Sequence, residues 1–290
     1  MKRARARHWI EAIVAWTIYQ LFRALPVDVA SAIGGFLGRA IGYRLPVTRH
    51  ARRNLARAFP DLVSDARERL IKRMWDNLGR TAGEFPHIES MRVGPGERIE
   101  MVGMEYVDAA RAAGKGSIFF GAHIGNWEIL GAAAAKMKLP LNLVYRAPNN
   151  PLLEGLFTAR GNLGAEMIPK GSQGARRALQ VLREGRVLAL LVDQKMNDGI
   201  AVPFFGRDAM TAPALAQFAL KFGCPVIPGH VERVKGARFR VVVQPPLAMP
   251  DTADRHDAIL AYMTEVNRII EGWVRAHPDQ WLWVHRRWPD

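Results

Sequence analysis

Short apolar blocks alternate with amphipathic segments along most of the chain, and they predict strands and helices in turn. Continuous apolar runs between turn residues predict buried strands at 117–120, 141–145, 187–192, 225–231 and 239–244. Apolar positions at helical spacing predict helices at 126–138, 174–184, 212–222 and 255–276. This alternation favours an α/β fold with a layered, largely parallel sheet flanked by helices.

The first 45 residues have a different pattern. Between positions 9 and 25, 13 of 17 residues are apolar. They predict a helix of about 26 Å, which is short for the ~30 Å hydrocarbon core of a bilayer. Pro26 ends this helix, and a second apolar segment follows it. We interpret residues 1–45 as a membrane-associated helical hairpin and residues 46–290 as the domain that holds the sheet. A pair of ordinary core helices is the alternative interpretation.

The composition is basic, with 41 Lys and Arg residues against 27 Asp and Glu residues and a formal charge of +14. No acidic residue lies between Asp28 and Asp61, whereas six arginines occur in that stretch. Basic residues beside an apolar segment are attracted to anionic lipid headgroups by about 1 kcal/mol each, and the positive-inside rule places the following domain on the cytoplasmic side. The alternative interpretation of this stretch is a solvated helix face.

Other features exclude several classes of protein. A single cysteine rules out a disulfide framework, and no fixed-period repeat is present. A nucleic-acid-binding module would suit the positive charge, but no helix-turn-helix or base-stacking pattern is evident. The sequence has no P-loop, no metal-binding HExxH or CxxC spacing and no GxSxG serine motif. We therefore expect neither a metal nor a nucleic-acid partner.

Polar residues follow three of the predicted strands, at the ends where sheets of this class bind ligands. His123 and Glu128 come after the first of these strands, and Arg146 follows the second. Asp193 and Gln194 follow the third. The carboxyl ends of these strands are therefore the expected place for the chemistry.

His123 is the strongest candidate for catalysis. It is five residues from Glu128, so the two would not face each other on a continuous helix, but a strand-to-helix turn can bring them together. A carboxylate bound to one imidazole nitrogen fixes the tautomer and leaves the other nitrogen as a general base. A structural histidine is the alternative. Cys224 has the pattern of a buried strand-entry residue, so a base without a protein nucleophile predicts direct attack by a substrate hydroxyl.

Several motifs occur in an order known from one protein family. They are Arg53-Asn-Leu, Ala58-Phe-Pro-Asp61, His123-Ile-Gly-Asn-Trp-Glu128, Val144-Tyr-Arg146, Asn150-Pro151, Arg160, Asp193-Gln194, Pro203-Phe-Phe-Gly206, Ala209-x-Thr211 and the closing segment 278–288. On these motifs the sequence resembles the late lipid A (lauroyl or myristoyl) acyltransferases, within the lysophospholipid acyltransferase superfamily. The resemblance covers nearly the whole chain and implies a glycerol-phosphate acyltransferase-like fold.

The resemblance also implies a reaction and roles for particular residues. An acyl chain would move from a thioester, on acyl carrier protein or coenzyme A, to a lipid hydroxyl without an acyl-enzyme, and no cofactor is expected beyond the carrier's phosphopantetheine. His123 would be the base and Glu128 its orienting partner. Arg146 would hold the oxyanion or a phosphate, and Asp193 would support the site. Substrate contacts are expected from Asn126, Arg160, Lys170, Gln194, Phe205 and Gly206.

The expected acceptor is a lipid A precursor at the cytoplasmic face of the bacterial inner membrane. Acyl carrier protein, this precursor and the membrane are the expected partners. Another glycolipid or an aminolipid is an alternative acceptor, and a catalytically silent membrane scaffold is a further alternative. Trp281, Trp283 and Trp288 are interpreted either as an interfacial belt or as packing against the sheet.

Overall fold

A computed structural model describes residues 2–158 and 166–289 of the chain, with side chains over 7–156 and 166–289. The described part contains a seven-stranded sheet and a separate two-stranded hairpin. The strands are β1 Ile99–Val102, β2 Ser117–Gly121, β3 Leu141–Tyr145, β4 Glu166–Pro169, β5 Val187–Leu191, β6 Ile200–Phe204, β7 Arg207–Thr211, β8 Val226–Lys235 and β9 Arg238–Val243.

The helices precede the sheet and connect its strands. They are α1 Lys2–Arg23, α2 Val27–Ala40, α3 Thr48–Ala58, α4 Ser64–Glu84, α5 Met104–Ala112, α6 Ile129–Lys136, α7 Glu154–Thr158, α8 Ser172–Arg183, α9 Ala214–Phe222 and α10 Arg255–Ala276. Short 3₁₀ turns lie at Gly42–Arg44, Phe85–Ser90 and Pro151–Leu153.

The large sheet has the order β1-β9-β8-β2-β5-β3-β4. Strands β8, β2, β5, β3 and β4 run parallel, whereas β9 is antiparallel to β8 and β1 pairs parallel with β9. Side chains alternate between the faces of a strand. Ile118 and Phe120 therefore belong to the core under α8, α9 and α10, whereas Phe119 packs in the core under α5 and α6. The predicted α/β fold is confirmed.

The structure differs from the predicted elements at the start of α6 and at the β6–β7 hairpin, among other places. Helix α6 begins at Ile129 and not at 126, because residues 122–128 form an extended turn. The β6–β7 hairpin was not predicted, because its two-residue turn places Phe205 at a φ of +53° and Gly206 at +68°. Such a turn usually has Asn-Gly.

The second N-terminal helix packs against α4 with direct backbone contact. A Cβ at Gly34 would lie 2.2 Å from the carbonyl oxygen of Gly79, and one at Gly38 would lie 2.0 Å from that of Trp75. Larger residues at these positions would separate the two helices. Because α4 continues toward the carboxyl edge of the sheet, this close contact connects the N-terminal helices with the rest of the protein.

Large apolar side chains are exposed along α1 and α2. They include Trp9, Ile10, Ile13, Leu21, Ile33 and Phe36. In the described part of the chain, no helix combines the length and the hydropathy that are needed to cross a bilayer. The division of the chain at residue 45 stays a prediction.

Candidate active site

The turn between β2 and α6 holds His123 at the carboxyl edge of the sheet. Gly125 shapes this turn, with a φ of +61° that favours glycine. A Cβ at this position would lie only 2.1 Å from the carbonyl oxygen of Val231. The backbone conformation and the close approach of β8 therefore both require glycine two residues after the histidine.

The carboxylate of Asp193 binds His123. Asp193 follows β5, the strand beside β2, so the end of β5 brings it to the histidine. Its Oδ1 accepts from His123 Nδ1 at 2.7 Å, and its Oδ2 accepts from the His123 backbone N–H at 2.9 Å. Trp281 Nε1 also donates to Oδ2, at 2.8 Å. Asp193 is fully buried and has three N–H donors.

The charge of Asp193 is stabilised by its neighbours. Burial acts to raise the pKa of this carboxyl, but the electrostatic attraction of the His123 ring and the hydrogen bonds from its ring and backbone outweigh burial and hold the pKa below its ordinary value. An ionised Asp193 accepts a hydrogen bond from Nδ1–H. In this tautomer of the neutral imidazole, Nε2 carries the free electron pair. Gln194 Nε2 lies 3.3 Å from that atom, within reach of a weak hydrogen bond. This geometry presents Nε2 as a proton acceptor.

Glu128, the expected orienting partner of His123, has other contacts in the structure. Its Oε1 accepts from Trp127 Nε1 at 2.8 Å, and its side chain lines an apolar cavity next to the turn. The carboxylate bound to His123 Nδ1 is that of Asp193. The catalytic roles assigned to Glu128 and Asp193 stay predictions.

Asn126, expected to contact substrate, lies inside the protein. It is fully buried, and its Nδ2 donates to Glu84 Oε2 at 2.8 Å. The structure therefore places Asn126 behind the turn, where its side chain joins the turn to α4.

Two of the expected basic residues share the neighbourhood of the site. Arg146 is exposed after β3, and the Lys170 backbone N–H donates to the Tyr145 carbonyl at 2.8 Å. The pKa of the Lys170 ammonium lies below its ordinary value. Loss of hydration is the main cause and Arg146 adds to it, whereas Asp193 acts to raise the pKa. Arg146 and Lys170 follow β3 and β4, whose carboxyl ends lie at the same edge of the sheet as those of β2 and β5. Arg160 lies outside the described residues.

Phe205 and Gly206 form the tip of the β6–β7 hairpin. The Phe205 ring packs 6.3 Å from that of Trp283, which lies 4.6 Å from Trp281. The backbone N–H of Phe205 donates to Glu271 Oε2 at 2.6 Å. These contacts hold the hairpin against the core.

The C-terminal segment contributes residues that the sequence did not single out for the site. Trp281, Trp283 and Trp288 are buried, so their clustering reflects packing. His285 stands beside the site, with its ring 6.3 Å from that of His123. Burial lowers the pKa of His285 to about 4, so its ring is neutral at pH 7.

An apolar cavity begins beside His123 and runs between α5, α6 and the sheet. Trp127 forms the end near the site, since its ring lies 5.1 Å from that of His123. Further lining residues are Met104, Val107, Phe119, Gly131, Leu143 and Val241. A long hydrocarbon chain could lie in this cavity with its reactive end beside the imidazole.

The described residues offer neither a reactive cysteine nor a metal cluster. Cys224 is buried, and burial raises the pKa of its thiol to about 11, so the sulfur is protonated at neutral pH. The described residues contain no group of three or more His, Cys, Asp or Glu side chains that could hold a metal ion.

Comparison with known sequences identifies the chain as an acyltransferase. The family described as bacterial lipid A biosynthesis acyltransferase matches residues 2–290, and the chain belongs to this family. It is 26% identical to a lipid A biosynthesis lauroyltransferase of Escherichia coli K12, over 96% of this chain and 90% of that protein. It is also 26% identical to a phosphatidylinositol mannoside acyltransferase of Mycolicibacterium smegmatis, over 73% of this chain and 71% of that protein.

A solved structure covers much of the chain at low similarity. The 1-acyl-sn-glycerophosphate acyltransferase of Thermotoga maritima aligns with 89% of this chain and 100% of its own, at a TM-score of 0.41 and 13% identity.

Proposed function

We propose that this acyltransferase moves a fatty acyl chain from an acyl carrier protein thioester to a hydroxyl of a lipid A precursor. One observation supports the mechanism above the others: Asp193 holds Nδ1 of His123 at 2.7 Å and leaves Nε2 as a base. In the reaction, Nε2 takes the proton of the acceptor hydroxyl while the hydroxyl oxygen attacks the thioester carbonyl. The carbon–sulfur bond then breaks, and the imidazolium passes its proton to the leaving carrier thiolate, which restores the base.

The positions of the other polar groups support the rest of the cycle. Gln194 lies 3.3 Å from Nε2, so an arriving hydroxyl would replace its amide at that atom. Arg146 and Lys170 would attract the phosphate of the donor arm or of the acceptor, or stabilise the oxyanion. Glu128, which lines the cavity beside the histidine, would contact the reacting end of the acyl chain.

We further propose that the exposed apolar residues of α1 and α2 lie in the cytoplasmic leaflet of the inner membrane. Exposed apolar patches of this kind mark surfaces that bind membranes or other proteins. Six arginines follow between positions 39 and 57 without an intervening acid. Together they would hold the site at the surface where a lipid acceptor lies.

The test is mass spectrometry of the acceptor after incubation with the purified protein. A lipid A precursor in anionic vesicles is mixed with acyl carrier protein or coenzyme A thioesters, and His123→Ala serves as the control. A gain of one acyl mass with wild type alone supports the proposal. A gain on a phosphatidylinositol mannoside instead would identify that lipid as the acceptor of this enzyme. The name of the Mycolicibacterium relative includes the same lipid. No gain on any lipid overturns it.

The apolar cavity predicts a variant with altered chain length. A Cβ at Gly131 would lie 3.2 Å from Leu143 Cδ1, so a larger side chain there enters the cavity. We expect Gly131→Leu to favour shorter chains, because each methylene that no longer fits costs about 0.8 kcal/mol, or about fourfold in kcat/KM. Competition between donors of different length measures this shift.

Gly272→Leu is the matched control, because a Cβ at this helical glycine on α10 meets no atom within 4 Å. It should leave the chain-length preference unchanged. An unchanged preference in Gly131→Leu as well would show that the acyl chain does not occupy this cavity.

A further inference from the structure

One buried amide joins three separate segments beside the catalytic turn. Asn77 lies on α4 and is 6% exposed. Its Nδ2 donates to the Gly125 carbonyl at 2.9 Å and to the Gln280 carbonyl at 3.2 Å. Its Oδ1 accepts from Arg233 Nε, on β8, at 2.7 Å. The amide therefore connects the turn, the C-terminal segment and the sheet.

The orientation of this amide is determined by its neighbours. An arginine can only donate, so Arg233 requires the oxygen of Asn77 on its side and directs the NH₂ group to the two carbonyls. Arg233 is itself held by the buried carboxylate of Glu84, which also accepts from Ser31 Oγ on α2 at 2.6 Å. A chain of buried hydrogen bonds thus runs from the N-terminal helices to the turn.

The Gly125 carbonyl is the acceptor through which Asn77 holds the turn. His123 is attached elsewhere by its own backbone, whose N–H reaches Asp193 and whose carbonyl accepts from the Leu282 N–H at 3.0 Å. The residues that follow are held by further bonds: the Gly125 N–H donates to the Gln280 carbonyl at 3.1 Å, and Asn126 Nδ2 donates to Glu84. Asn77 Nδ2 binds the Gly125 carbonyl itself at 2.9 Å. Thr81 Oγ1 adds only a longer contact to the same carbonyl, at 3.4 Å.

We propose that Asn77 is a positioning residue for acyl transfer, which holds the turn so that Nδ1 of His123 meets Asp193 and Nε2 faces the thioester. This proposal rests on the proposed function. Under this proposal α4, the helix against which α2 packs, positions the catalytic turn. A displacement of about 1 Å at a reacting group costs on the order of 100-fold in rate.

The test compares two isosteric changes. Asn77→Asp keeps the shape and the bond from Arg233 but turns a carboxylate oxygen toward two carbonyls. Asn142→Asp is its matched control: Asn142 is 1% exposed, donates to the Val187 carbonyl at 2.6 Å and accepts from Arg186 at 2.6 Å. It lies near the start of β3, at the opposite edge of the sheet from His123.

We expect Asn77→Asp to lower kcat roughly 10- to 100-fold per folded molecule with KM nearly unchanged, and Asn142→Asp to lower thermal stability alone. The ¹⁵N signal of His123 Nδ1, identified by its loss in His123→Ala, should shift in Asn77→Asp only. If Asn77→Asp does not fold, the comparison is made on Asn77→Ser. A wild-type kcat per folded molecule overturns the proposal. If the wild type transfers no acyl chain, the proposed function fails, and the ¹⁵N signal alone decides: an unshifted signal overturns the positioning role.

Discussion

A His123→Ala variant is expected to transfer acyl chains roughly 100- to 10,000-fold more slowly than the wild-type protein, because it lacks the general base. The neighbouring carboxylate should matter almost as much. Asp193 Oδ2 accepts from two N–H donors, the His123 backbone and Trp281 Nε1. In Asp193→Asn the amide oxygen is therefore expected on that side, with the NH₂ group facing Nδ1.

This arrangement would reverse the tautomer of the histidine. Nδ1 would become the acceptor, and Nε2 would carry the proton that it must be free to take. We expect Asp193→Asn to lose nearly as much activity as His123→Ala, while Glu128→Gln loses less. Single-turnover rates with a thioester donor measure all three. A loss confined to Glu128→Gln, with Asp193→Asn near wild type, would falsify the assignment of Asp193 as the orienting carboxylate.

The largest expected loss of stability is at Arg233. Its guanidinium binds Glu84 with both terminal nitrogens, and the side chains of the pair are 9% and 0% exposed. Arg233→Met leaves a buried carboxylate without its cation, which typically costs about 3–5 kcal/mol of unfolding free energy. Urea unfolding, followed by circular dichroism, measures this loss.

Two further variants distinguish the effect of an unpaired buried carboxylate from a general effect of removing an arginine. Arg240→Met, on the neighbouring strand β9, removes an arginine whose side chain is 41% exposed and whose nearest ion pair is 3.5 Å long. It should cost less than about 1 kcal/mol. The double variant Glu84→Gln with Arg233→Met should recover part of the loss, since no buried charge remains. Equal losses in Arg233→Met and Arg240→Met would contradict a buried-charge explanation.

Much of the fold could be predicted because it depends on local patterns. The strand at 141–145 and the helix at 255–276 have the bounds that the sequence predicts. Their apolar residues recur at the spacing of one element, and this spacing needs no knowledge of distant residues. The β6–β7 hairpin was not found by the same reasoning, because Phe205 occupies a left-handed turn position where asparagine or glycine is the usual signal.

The sequence by itself determined that His123 stands at a strand end, with a second carboxylate candidate in Asp193. Only the tertiary structure decided which carboxylate meets Nδ1. Glu128 is near in sequence, but the order of the sheet places β5 beside β2 and brings Asp193 to the ring from 70 residues away. Asn126 and Phe205 show the same limit, because burial depends on what packs over a residue. Residue type and local spacing predict what a side chain can do, whereas its partner depends on long-range packing.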